Sequence, residues 1–137
     1  MNGAYGEFGF RTLFHGSASG ESPPAAGFYP VRDQEDLVRR WESLTGGQFP
    51  APELPRIDLG YEAVLLLALA ARSQSGNSIT IDRLSREDGL LVVDATEVRN
   101  EGVGASVVLF PAHLVAVGAP NVPAGDVLLR TRLVVSR

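Results

Sequence analysis

With 137 residues, 45% of them hydrophobic and 20% charged, the chain has the size and composition of one ordinary globular domain rather than of a disordered tract. Its net charge of -4, with all 12 basic side chains arginine and none lysine, excludes Schiff-base chemistry and a P-loop lysine. It also speaks against nucleic acid as a partner, which requires a clustered positive field. The absence of cysteine removes thiol nucleophiles, thiolate metal sites and disulfides.

Residues 1–7 have neither a basic start nor an apolar core, so a flexible N-terminus without a signal peptide is expected there. Phe8 to Phe14 reads as a short strand, and 16–29, rich in Ser, Gly and Pro, as a flexible exposed loop. The clearest helix runs from Asp33 to Leu44. Asp33 is placed to cap its first turn, Asp36 three residues on makes a near capping box, and Gly46 and Gly47 end it. Leu37, Trp41 and Leu44 share one face by their spacing, while Arg39 and Arg40 lie within reach of Glu35, Asp36 or Glu42 on a solvated one. Pro50, Pro52 and Pro55 then enforce an extended connection.

The run Glu62 to Arg72 is helical by the propensity of its alanines and leucines, yet short enough for a buried strand. After it come a polar segment, Ser73-Gln74-Ser75-Gly76-Asn77-Ser78, and the alternating Ile79-Thr80-Ile81-Asp82. Glu62 to Leu84 therefore reads as two paired strands joined by an exposed tip, and residues 73–78 are the candidate partner-binding site. Further strands are expected at 90–98, 106–110, 114–117 and 127–135, with Pro111 marking a bulge, bend or edge. In the last of them Arg130 and Arg132 share one face, and Leu129, Thr131 and Leu133 the other. The sum is a single α+β domain over 1–137. It has an antiparallel sheet of about five to seven strands, sandwich- or barrel-like, and one main helix near the N-terminal third. No apolar run approaches the roughly 20 residues that span a bilayer as a helix.

Catalytic constellations are sparse. The two histidines, His15 and His113, fall in different strand regions. His15-Gly16-Ser17 with Asp58 or Asp82 would need a triad geometry that sequence proximity does not supply. There is no Gly-x-Ser-x-Gly elbow, and Asp82, Asp88 and Asp94 lack EF-hand spacing. Gly102-Val103-Gly104 lacks the third glycine and the helix of a nucleotide loop. No catalytic residue, metal or cofactor is expected. The alternative is a small-molecule-binding or hydrolytic domain using a pocket with His15 or His113.

One order of pieces stands out: Trp41-Glu-Ser-Leu44 closing the helix, the proline linker, and Ile57-Asp58-Leu59 leading into the apolar run. The turn Ser75-Gly76-Asn77-Ser78 before Ile79-Thr80-Ile81 follows, then Pro111 before Leu114-Val-Ala-Val117. Over roughly residues 10 to 120 this resembles the PrcB-like C-terminal domain family, named for a bacterial subunit that associates with and stabilises a surface protease complex. The family's turn carries a second glycine and an aromatic, where this chain has Asn77 and Ser78. The resemblance assigns 62–72 to a strand. It implies a non-catalytic accessory domain with a protein partner, a protease or envelope complex, and transfers no catalytic residues. An extracytoplasmic setting, with any leader outside this chain, goes with it; otherwise the setting is cytoplasmic. Self-association through an unpaired edge strand is a further expectation.

Overall fold

The apolar run at 62–72 decides the architecture. Val64 to Ala68 are each at most 3% exposed, which requires cover on both faces of a strand and a neighbour on each edge. In the computed structural model, which describes residues 5–123 and 125–137, this run is strand β4 (Glu62–Ala68). The strands before it are β1 (Tyr5–Phe8), β2 (Phe10–Ser17) and β3 (Gly27–Pro30), followed by helix α1 (Gln34–Thr45). After it come β5 (Arg72–Gln74), β6 (Ser78–Glu87), β7 (Leu90–Asn100), β8 (Ser106–Leu109), β9 (Pro111–Gly118) and β10 (Val127–Ser136).

β4 is internal to an antiparallel sheet of order β2-β9-β4-β3. Strand alternation divides its side chains between two cores. Val64, Leu66 and Ala68, with Ala112, Leu114 and Ala116 of β9, pack under α1 against Leu37, Trp41 and Leu44. Leu65 and Leu67, with Val115 and Val117, turn the other way to meet Ile79, Ile81, Leu84, Leu91, Val93 and Ala95 of a second sheet. That sheet has the order β1-β6-β7-β10, and β5 pairs with β8 in a small ribbon. The result is α+β: a helix layer, then two stacked sheets that do not close into a barrel. Of the strand expected at 62–72, residues 62–68 form β4, 69–71 lie in no strand, and Arg72 already begins β5 in the separate ribbon.

Several boundaries and pairings differ from the sequence expectation. β4 and β6 lie in different sheets, so residues 62–84 are not a pair of strands joined by a tip. A strand buried on both faces takes two long-range partners, and β6 instead pairs with β7 across Asp88-Gly89, whose φ values of 51° and 79° suit a two-residue hairpin turn. The loop expected at 16–29 loses Gly16 and Ser17 to β2 and residues 27–29 to β3. Its middle is tied to the helix end, where the Ser19 and Gly20 amides donate to the carbonyls of Leu44 and Ser43. Residues 5–7 of the expected flexible terminus belong to β1, and residues 1–4 lie outside the described ones. The described residues form ten strands rather than five to seven, and β10 joins β7 in parallel, not antiparallel.

α1 forms where its cap and periodicity place it. The Asp33 carboxylate accepts from the Asp36 amide at 2.8 Å, and the buried Asp36 carboxylate reaches back to accept from the Arg32 amide at 3.1 Å. Arg32, Arg39 and Arg40 surround Asp36. Burial alone would raise the Asp36 pKa, but the Arg32 amide and the three guanidinium groups outweigh it and hold the carboxyl below its usual range. Asp36→Asn is expected to lower stability by about 1–3 kcal/mol, the scale of a lost charge-assisted bond, and urea unfolding at pH 7 measures it.

Candidate functional site

His15 and His113 sit directly opposite each other on β2 and β9, with ring centroids 4.5 Å apart. Two bulges bring this about. In a regular strand Thr12 and His15, three residues apart, would point to opposite faces. The register of β2 against β9 slips between Thr12 and Phe14, and both side chains then face the second sheet. The second bulge, between Ile81 and Arg83 on β6, leaves the Ile81 amide to a side-chain acceptor.

His113 Nδ1 takes that hydrogen bond from the Ile81 N–H at 2.8 Å, which puts the ring proton on Nε2, 2.8 Å from the Thr12 hydroxyl. His15 Nε2 lies 3.0 Å from both the Ile79 carbonyl and the Thr80 hydroxyl. The pair thus staples β2 and β9 to β6. His113 is 3% exposed. Burial chiefly, and the neighbouring His15, lower its pKa to about 4, with Asp82 acting the other way. It is a neutral ring at pH 7 with both nitrogens occupied.

Among the described residues, one hollow runs along α1 past Trp41, Pro24 and Pro52, and another crosses Asp82, Asp94, Thr96, Arg130 and Arg132 on the outer face of the second sheet. Neither is lined by a histidine. Among the described residues, no three acidic or histidine side chains converge as a metal site. Asp58, considered with His15 in sequence, instead accepts from the Gly60 amide at 2.9 Å in its own turn.

Residues 73–78 take in the end of β5, a turn at 75–77 and the first residue of β6, and several of their polar groups are used internally. The Asn77 side chain donates to the Gln74 carbonyl and accepts from the Asn100 amide. The Asn100 side chain donates to the Ser75 carbonyl, and the Ser75 hydroxyl accepts from the Ala105 amide. Only Ser73 and Gly76 are exposed, with Gln74, Ser75, Asn77 and Ser78 half-buried. Gly76 has φ +86°, and a Cβ there would lie 3.2 Å from the Asn100 side-chain nitrogen. Gly76→Ala is therefore expected to cost about 1–2 kcal/mol in a thermal or urea melt, so substitutions at Gly76 report on folding before they report on contact.

The outstanding surface is β10. All ten of its residues are exposed, and Val127, Leu128, Leu129, Leu133, Val134 and Val135 are each 38–47% accessible. The strand ends its sheet, with β7 on one side and no neighbour among the described residues on the other. Its two faces divide as their alternation requires. Arg130 pairs with Asp94 at 2.8 Å and Glu87 at 3.2 Å on the outer face, with Arg132 3.4 Å from the Thr96 hydroxyl beside it. Hydrogen bonds from Arg130 chiefly, and from Arg83, hold the Asp94 carboxyl below its usual range. The sequence marks the two faces of this strand but not that it stands at a free edge.

No protein family, curated protein or solved structure matches this chain.

Proposed function

We propose that this chain is a non-catalytic protein-interaction domain that stabilises or regulates a larger assembly, with β10 as its contact edge. The observation that carries this reading is the uncovered strand itself. Along its outer side the backbone groups of alternate residues of this ten-residue strand have no strand partner among the described residues, and six large aliphatic side chains stand at 38–47% exposure. An exposed, long, apolar edge is the element that proteins otherwise shorten, charge or cover, and strand addition uses it directly. The PrcB-like resemblance suggests the class of assembly in which the domain works, a bacterial protease or envelope complex, and leaves the occupant of the edge itself open. The 73–78 turn is the weaker candidate because several of its polar groups are already engaged within the segment or by Asn100 and Ala105.

The test compares baits. The purified chain, a Thr131→Pro variant and a Ser73→Arg variant are each offered to lysate and envelope fractions, and retained proteins are identified by mass spectrometry. A protein held stoichiometrically by the first and third baits but not by Thr131→Pro supports the edge. Loss with Ser73→Arg alone returns the contact to the turn, and an unspecific eluate from all three counts against a protein partner other than the chain itself.

The small-molecule or hydrolytic reading has the contact between the His15 and His113 rings in its favour. Against it stand the two occupied nitrogens and the burial of His113. A His15→Ala variant that loses binding of a small ligand while keeping its fold would revive it.

A further inference from the structure

The nine residues Val127-Leu128-Leu129-Arg130-Thr131-Arg132-Leu133-Val134-Val135 read alike in both directions about Thr131 in three of their four mirrored pairs. Leu129 mirrors Leu133, Arg130 mirrors Arg132 and Val127 mirrors Val135, while Leu128 mirrors the similarly aliphatic Val134. From this self-complementarity we infer that the partner of the β10 edge is a second copy of the same strand. The two strands pair antiparallel about a two-fold axis at Thr131 and join two four-stranded sheets into one continuous sheet. The inference builds on the reading of β10 as a contact edge and names its occupant.

The backbone supports that register. The Ser136 carbonyl accepts from the Glu101 amide, so the even-numbered residues of β10 address β7. The odd-numbered residues Val127, Leu129, Thr131, Leu133 and Val135 therefore turn their N–H and C=O groups to the free edge. A two-fold axis perpendicular to the sheet keeps outer faces together and sets odd residues opposite odd ones. Centred on Thr131, it pairs Thr131 with its own copy, Leu129 with Leu133 and Val127 with Val135 in hydrogen-bonded positions. Leu128 meets Val134 on the outer face, so every aliphatic side chain of the strand meets another.

Charge fits with one exception. Arg130 is already neutralised within its own chain by Asp94 and Glu87, so the strip does not present a cationic surface to an acidic partner. The exception is the approach of Arg130 to Arg132 of the second copy. Like charges opposite each other weaken a pair, and this makes the register testable in the strengthening direction.

Sedimentation equilibrium of the full chain and two variants decides the matter, with thermal melts as a control on folding. The Thr131 amide faces the free edge, so Thr131→Pro removes a bond to the second copy while sparing the β7 ladder. The native chain is expected to be a dimer, with dissociation constant raised at least tenfold by Thr131→Pro. Arg132→Glu is expected to lower it about three- to tenfold by turning both like-charge contacts into opposite ones. A native chain that stays monomeric at high concentration overturns the inference while leaving the edge free for a different protein. A dimer indifferent to Thr131→Pro overturns both the inference and the edge reading, and a dimer weakened by Arg132→Glu excludes this register.

Discussion

Replacing His113 with alanine should cost about 3–5 kcal/mol, because it combines a cavity in a closed core with loss of the acceptor for the Ile81 amide at the β6 bulge. The same residue should dominate the response to mild acid. With a folded pKa near 4 against about 6.5 unfolded, the unfolded chain binds the extra proton first. Stability is then fully present above about pH 6.5 and falls by roughly 3 kcal/mol towards pH 4. Asp36 and Asp94, whose folded pKa values are lowered, act in a different window: their contribution holds above the usual carboxylate range and is lost only as pH falls through it. His113→Asn, which keeps an acceptor near the Nδ1 position but cannot titrate, should recover part of the stability and flatten the slope between pH 4 and 6.5. Urea titrations at several pH values read both effects, and an unchanged slope in His113→Asn would contradict the clamp.

The second large effect belongs to Trp41. The ring is 8% exposed, meets Phe14 edge to face at 6.5 Å and donates from Nε1 to the Pro52 carbonyl at 3.1 Å. It therefore joins the helix, the first sheet and the proline connection. Trp41→Ala should cost about 3–5 kcal/mol in chemical unfolding. Trp41→Phe, which keeps most of the apolar contact and loses the bond to Pro52, should cost about 1 kcal/mol. Equal losses for the two variants would mean that the hydrogen bond, not the packing, is what matters.

How legible these features are from sequence depends on the range of the interaction that makes them. Helix α1 is set by local signals, the Asp33 cap and the spacing of Leu37, Trp41 and Leu44, and it falls within a residue of its expected limits. β4 is not local: its alanines and leucines favour helix, and only burial on both faces makes it a central strand. The pairing of 62–84 as two strands fails for the same reason. The local hairpin signal lies instead at Asp88-Gly89, between the alternating residues of β6 and β7. The histidine pair is hidden by two bulges, since a regular strand would separate Thr12 from His15. The two faces of β10 follow from alternation, but its place at the end of a sheet follows only from the topology.

The most direct measurement is residue-resolved amide exchange along β10 as protein concentration is raised. If the free edge is the contact surface, the even-numbered amides bonded to β7 are protected throughout. The amides of Val127, Leu129, Thr131, Leu133 and Val135 should then pass from rapid exchange in dilute solution to protection as the copies pair. Rapid exchange at those five positions at every concentration would contradict pairing at this edge.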